Sequence, residues 1–348
     1  MQINLSERTL HVREAEVPFQ QGRRLHHSFV VRITDEEGKR IGLGECAPQE
    51  SFSCDADAYI RMSDAARLVN EAMVSEDYTR MLGPYPALLF ALESALYDYQ
   101  QNPLLYDTPF AHSQTGIPSY ALIDAEGYDQ LLNRCKRMIL KGFRHLKLCI
   151  GESGKADVLK VISTLRSRFS AETLTLSVDA LGRLGTAEAV ELIRELKPLG
   201  VRQIEQPIAR YQWKEMARLC QMAREEEGLP VALDEELTGV NTQEEKRMLL
   251  DTIQPQFIIV KPMLHGGITG TVEWASEAMK RHIGVVLSVA REGNIGRRNV
   301  ALLAARIFGP NCTEPQGLGT GPLYRDDTEM DIEMHGNRLW RSLVESEI

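Results

Sequence analysis

No run of about 18 apolar residues occurs anywhere in the sequence, so it offers no candidate membrane span. The opening stretch "MQINLSERTL" is too polar for a secretory signal. Clusters of lysine and arginine are also missing. The 40 basic and 49 acidic residues leave a formal charge of −9, which argues against a nucleic-acid partner. Cysteine is sparse and scattered, at positions 46, 54, 135, 149, 220 and 312, with no Cys-x-x-Cys pair. That spacing excludes a disulfide framework and a zinc ribbon, and it suits reduced thiols in a cytoplasmic protein. Low-complexity tracts are absent, and nothing in the chain speaks to its oligomeric state.

What remains is ordinary globular composition: 348 residues, 43% hydrophobic and 26% charged, enough for one large domain and a smaller one. The first hundred residues and the rest differ in rhythm. "HSFVVRIT" (27–34), the turn cluster "DEEGKR" and "IGLGECAP" (41–48) form a predicted hairpin closed by Pro48. "DADAYIRMSDAARLVNEAM" and "YPALLFALESALYDYQQN" then carry apolar residues at helical spacing. This is an α+β unit, assigned to 1–112 and completed by the tail 322–348, where "MDIEMHGNRLW" returns to it.

From about residue 118, short apolar runs alternate with amphipathic stretches. Predicted strands fall at 120–125, 145–150, 174–180, 202–207, 230–235, 257–262 and 284–289, with helices near 127–141, 155–169, 186–197, 212–226, 242–251, 268–282 and 295–308. A weak eighth strand is expected near Thr313 to Leu318. Strict alternation means parallel strands with crossover helices, and so many cycles suit a closed (β/α)8 barrel of the TIM type over 113–321. The competing open doubly wound sheet would want a Gly-rich phosphate turn after its first strand, and "DAEGYD" is not one.

Barrel chemistry sits at the carboxyl ends of the strands. The third predicted strand ends at Asp179, the fourth at Glu205, the fifth at Asp234 and the sixth at Lys261. The intervals are 205−179=26, 234−205=29 and 261−234=27, one strand–helix unit each. Three carboxylates on neighbouring strands repel one another unless a cation joins them. An all-carboxylate donor set suits Mg2+, with Mn2+ the other candidate. Taken singly, each acid could equally cap a helix or pair with an arginine. Lys147 on the second strand and Lys261 on the sixth stand four places apart in an eight-membered ring, on opposite sides of that cation site. Such an arrangement permits a lysine base to remove a proton α to a substrate carboxylate while Mg2+ stabilises the enediolate. Burial beside a metal should lower the lysine pKa, as a base requires.

These residues resemble the enolase superfamily and, within it, the o-succinylbenzoate synthases. The matching stretches run in order: "HLKLCIG", "LSVDALG", "IEQPI", "VALDEELTGV", "IIVKPMLHGGITG", "LSVAREGNIG" and "GLGTGPLY", with "GLGECAP" and "ALESALYDY" resembling the capping domain. The resemblance implies a Mg2+ site at Asp179, Glu205 and Asp234. It gives Lys261 the role of a cation stabilising the enediolate, and makes Ser288 and Asn294 substrate contacts. The implied reaction is dehydration of a succinyl-bearing cyclohexadiene carboxylate to o-succinylbenzoate, a step of menaquinone synthesis. His265, beside Lys261, receives no role.

The chain departs from the family pattern near the site. The family's second strand carries Lys-x-Lys; here Lys147 is followed by Cys149, which occupies the usual base position. Leu181 replaces the asparagine of a third-strand "DANG", and Gly293 replaces a seventh-strand serine. The segment 18–27 does not match the family's specificity loop. Three alternatives stay open: a synthase using Lys147 or Cys149 itself, a related enzyme with a different carboxylate substrate, or a metal-binding homologue with reduced or no activity. A non-enzymatic binding protein on the same barrel has no need to hold three acids together.

Overall fold

The computed structural model describes residues 1–12, 25–48, 53–54, 60–75, 77–151, 154–225, 228–319, 324–327 and 331–342. Most of the 18–27 segment, the start of the first predicted helix at 55–59, residues 320–323 of "GLGTGPLY" and the extreme tail lie outside that set.

The amino-terminal sheet has three antiparallel strands, β1 (Gln2–His11), β2 (Leu25–Thr34) and β3 (Ile41–Cys46), in that order. The β2–β3 hairpin matches expectation, but β1 was hidden. It pairs with β2 along its full length, from Gln2↔Thr34 to His11↔Leu25. As an edge strand it buries mainly Leu5 and Leu10 and keeps Glu7 and Thr9 outside, so its apolar signal is thin. Among the described residues four helices follow: α1 (Met62–Met73), α2 (Tyr78–Leu82), α3 (Pro86–Gln100) and α4 (Pro103–Tyr106).

Helix α3 is buried on most of its circumference and lies directly on β3. The approach requires glycine: a β-carbon on Gly44 would fall 1.8 Å from the carbonyl oxygen of Ala91. Two acids on α3 tie this unit to the rest. Asp98 accepts from the Leu43 amide (2.9 Å), the Tyr106 hydroxyl (2.5 Å) and the Arg298 guanidinium (2.6 Å). Glu93 accepts from the Ile268 amide (2.5 Å) and from the amide and hydroxyl of Thr269, at the start of a helix 175 residues away. Glu93→Ala leaves those buried donors without an acceptor, so stability should fall by about 2–4 kcal/mol. A shifted urea midpoint at constant slope is the expected readout; a loss below about 0.5 kcal/mol would mean that water replaces the carboxylate fully.

The second unit alternates strand and helix as expected: β5 (Ala121–Ile123), α5 (Gly127–Leu140), β6 (His145–Cys149), α6 (Gly154–Arg166), β7 (Thr175–Asp179), α7 (Thr186–Leu196), β8 (Ile204–Glu205), α8 (Trp213–Glu225), β9 (Val231–Leu233), α9 (Gln243–Ile253), β10 (Phe257–Val260), α10 (Gly267–Met279), β11 (Gly284–Leu287) and α11 (Asn294–Phe308). A two-residue β4 (Ile117–Pro118) precedes them. The seven strands β5 to β11 form one parallel sheet in sequence order. The sheet closes through two further parallel bridges, Ser119↔Gln316 and Ser288↔Gly317. The expected eighth strand is thus reduced to a pair of residues, because Pro315 and the glycines of "PQGLG" cannot sustain a longer ladder. The fold is an α/β barrel of the TIM type with a separate antiparallel amino-terminal unit.

Helix boundaries follow local chemistry. Thr242 and Glu245 form a reciprocal capping box at the start of α9, and Gly309 follows the end of α11. The tail divides its contacts. Tyr324 bridges to Val12, and Asp326 and Asp327 bond His11 and Arg8 on the amino-terminal sheet. The hairpin β12 (Ile332–His335) and β13 (Arg338–Arg341) instead pairs with β4. Among the described residues, no helix is long and apolar enough to cross a membrane. Among the described residues, none of the six cysteines is in a disulfide.

Candidate active site

Strand alternation builds the site in layers. Inside the ring, Tyr120, Ala232, Ile259 and Val286 form a small apolar cluster separate from the main core. Two residues further along β9, β10 and β11 come Asp234, Lys261 and Ser288, at the carboxyl ends. On the other side of the ring, Cys149 pairs in register with Asp179, and Asp179 with Glu205. Asp179, Glu205 and Asp234 are all buried, at 4%, 0% and 2% exposure, so the three acids are withheld from water at one rim.

Lys147 sits one layer below Asp179 and reaches upward. Its Nζ donates to both oxygens of Glu205, at 2.9 and 2.8 Å, stands 3.8 Å from Asp179 Oδ2, and lies 4.8 Å above the centre of the Tyr120 ring. Lys261 is bonded to Asp234 from the opposite side. Its backbone amide donates to Nδ1 of His265 (3.0 Å), whose ring burial keeps neutral by pushing its pKa down to about 3. Tyr120, Lys147, Asp179, Leu181, Asp234, Glu235, Lys261, Ser288 and Arg291 are among the residues lining one cavity at this rim.

With the side chains turned onto one another, the lysines take their charge state from the carboxylates that face them. Burial alone works to lower the pKa of both lysines, but for Lys147 the charges of Glu205, Tyr120 and Asp179 outweigh it, and for Lys261 those of Asp234 and Glu235 do. Both are held above the ordinary lysine value and are ammonium ions in this arrangement. The acids divide. Burial lifts Asp179 to about 6 and Glu205 to about 8, while Lys261 and Lys147 overcome burial and hold Asp234 below its usual range. Burial and the adjacent Asp234 raise Glu235 to about 7, and its Oε2 has no hydrogen-bond partner among the described residues.

These donors fit a hard divalent cation. Three buried carboxylates on adjacent strands, with an orphaned fourth carboxylate oxygen beside them and no cysteine or histidine among the described residues lining the cavity, match oxygen-preferring ions. As the side chains lie, Glu205 and Asp234 are turned onto the lysines. Accordingly, no three acidic, histidine or cysteine side chains stand at coordination spacing among the described residues.

The remaining expected residues are placed differently. Cys149 is fully buried, does not line the cavity, and carries a neutral thiol because burial, then Asp179 and Asp124, push its pKa well above the ordinary value. Ser288 lines the cavity, its hydroxyl donating to the Val289 carbonyl (3.0 Å). Asn294 does not line it; its amide nitrogen donates to the Asp327 carbonyl (2.6 Å), holding the tail to the start of α11. Leu181, where the resemblance leads one to expect asparagine, adopts φ +54° and gives its amide to Asp179 Oδ1 (3.0 Å). Sequence reasoning missed Tyr120, Glu235 and Arg291. Glu235 lay in plain view beside Asp234 in "LDEEL", and Arg291 is a charge placed directly after an apolar strand.

Comparison with known proteins agrees with this fold. A family model described as enolase C-terminal domain-like matches residues 130–337. An o-succinylbenzoate synthase from Desulfotalea psychrophila (strain LSv54 / DSM 12343) is 34% identical over 280 residues, covering 80% of this chain and 73% of that protein. The crystal structure of MenC from Desulfotalea psychrophila LSv54 superposes with a TM-score of 0.79 at 28% identity, covering 98% of this chain and 99% of that one. An L-Ala-D/L-Glu epimerase from Bacillus subtilis reaches the same TM-score at 19% identity over 98% and 96% of the two chains, a likeness of fold alone. The chain belongs to the enolase C-terminal domain-like family of enzymes, as an o-succinylbenzoate synthase-like member of it.

Proposed function

We propose that this chain is a Mg2+-dependent dehydratase of the o-succinylbenzoate synthase type, acting on a cyclohexadiene carboxylate that bears a succinyl group. The observation that carries this reading is the meeting of Asp179, Glu205 and Asp234 on neighbouring strands with Lys147 and Lys261 on either side. A divalent cation held by the three acids would compensate their charge and act as a Lewis acid on the substrate carboxylate. With the acids compensated, burial is left as the main influence on Lys147 and draws its pKa down toward that of a base. Lys147 Nζ then removes the proton α to the carboxylate. Lys261, still an ammonium ion, stabilises the negative charge that develops, and Lys147 returns the proton to the departing hydroxyl, which leaves as water. Aromatisation of the ring drives the step, so the protein supplies mainly position and charge. The product would enter menaquinone synthesis in the cytoplasm.

Cys149 is assigned no proton transfer, since its thiol is neutral and outside the cavity. The same observation favours a second reading, a metal-binding homologue with reduced turnover, because the usual base position is then empty of any base. The test is conversion of the cyclohexadiene carboxylate with Mg2+ and after its removal by chelation, for the parent, Cys149→Ala and Cys149→Lys. Under the proposal the parent turns over only with the metal, and Cys149→Ala stays within about threefold of it, as for a small core substitution. Strong activity confined to Cys149→Lys would overturn the proposal in favour of the second reading.

A further inference from the structure

We propose that His265, which has no part in the dehydratase mechanism above, is a positioning residue that fixes Lys261 at the rim of the cavity. The inference deepens the dehydratase reading and rests on it for the role of Lys261.

Lys261 stands just past the sheet that carries it. The ladder between β10 and β11 ends at Val260↔Leu287, and that between β10 and β9 at Ile258↔Leu233. Among the described residues, no neighbouring strand takes the Lys261 amide. A buried amide left without an acceptor costs about 1–3 kcal/mol. His265 supplies the acceptor, its Nδ1 taking that amide at 3.0 Å. The Lys261 carbonyl in turn accepts from the amides of Leu264 (2.8 Å) and His265 (3.0 Å). Both backbone groups of Lys261 are thus held by the short turn that follows it. The side chain leaving that backbone bonds Asp234 and lines the cavity. A lysine ammonium rides on a flexible four-carbon stem, so it is placed only as well as its backbone is.

The imidazole suits this task. An Nδ1 that accepts carries no proton, which puts the ring proton on Nε2, an atom with no hydrogen-bond partner among the described residues. Burial, helped by the charges of Lys261 and Lys246, keeps the ring neutral against the pull of Asp234. His265 therefore offers an acceptor without adding a charge that would compete with Asp234 for the ammonium. It is 1% exposed and does not line the cavity, so it can act on the reaction only through Lys261.

The experiment is a double-variant cycle on the Mg2+-loaded protein, with His265→Leu, His265→Asn, Lys261→Met and His265→Leu combined with Lys261→Met. The side-chain oxygen of asparagine falls where Nδ1 does, whereas leucine fills the space without an acceptor. His265→Leu should lower kcat by about 10- to 100-fold, with KM and Mg2+ affinity within about threefold of the parent. His265→Asn should recover kcat to within about threefold. In the Lys261→Met background the leucine should cost less than about twofold, because its target is gone. Equal losses in the leucine and asparagine variants, a full further loss in the Lys261→Met background, or an unchanged kcat in His265→Leu would overturn the assignment. A second readout needs no turnover: binding of benzohydroxamate, which resembles the enediolate, relative to benzoate. Lys261→Met should abolish the preference for the hydroxamate, His265→Leu should cut it about 10-fold, and His265→Asn should restore it. That pattern in a parent that does not dehydrate would sink the dehydratase reading alone. A preference that is absent, or indifferent to His265, would overturn the positioning role.

Discussion

Lys147→Ala is expected to lower kcat by about 10²- to 10⁴-fold, the range associated with loss of a positioned general base. The alanine variant also strips Glu205 of its bonded cation, so it confounds two effects. Lys147→Arg separates them. Arginine keeps a positive charge beside Glu205 but does not release its proton near neutral pH. If Lys147 transfers the proton, the arginine variant should be nearly as inactive as the alanine variant while binding Mg2+ close to normally. If it retains more than about a tenth of parental kcat, Lys147 acts only as a charge and the base lies elsewhere.

Glu205→Leu is expected to remove about 3–5 kcal/mol of stability from the metal-free protein, because it leaves the Lys147 ammonium buried against an apolar side chain. Lys147 is 5% exposed, so its ammonium is largely withheld from water. The double variant Lys147→Met with Glu205→Leu should regain most of the loss, since replacing both members of a buried pair costs far less than orphaning one. Urea unfolding of the three proteins measures this directly. A single-variant cost below about 1 kcal/mol would mean that Asp179, now 3.8 Å from Nζ, closes in and takes over as the partner.

The barrel was legible in the sequence because β7, β9, β10 and β11 are largely apolar runs that end on or are followed by a polar residue, and α5, α7, α8 and α9 show strong helical periodicity. Asp179, Asp234 and Lys261 were visible for the same reason, as the polar residue that ends or follows a run, and Glu205 by its spacing one strand–helix unit from Asp179 and Asp234. Less local features were hidden. The strand β1 buries little and depends on β2 for its extended form. The eighth position is held by hydrogen bonds from its neighbours and not by any propensity of "PQGLG". The pairing of the lysines was hidden because burial is written in the local pattern, whereas the opposing carboxylates come from residues 58 and 27 positions away. Asn294, a substrate contact by the resemblance, bonds the Asp327 carbonyl through its side chain, a partner that only the folded chain brings near.

The closure of the ring has a kinetic meaning. Two single-residue bridges at Gln316 and Gly317 join Ser119 to Ser288, whereas every other strand pair has at least two residues in register. Positions 119 and 316 are 316−119=197 residues apart, so this contact carries the longest loop-closure cost in the barrel and cannot be prepaid by local structure. The seam is therefore where the cylinder parts most readily. Amide hydrogens at Gln316, Gly317 and Val289 should exchange with solvent sooner than those of β6 and β7, and the first opening of the barrel would run between its first and seventh staves.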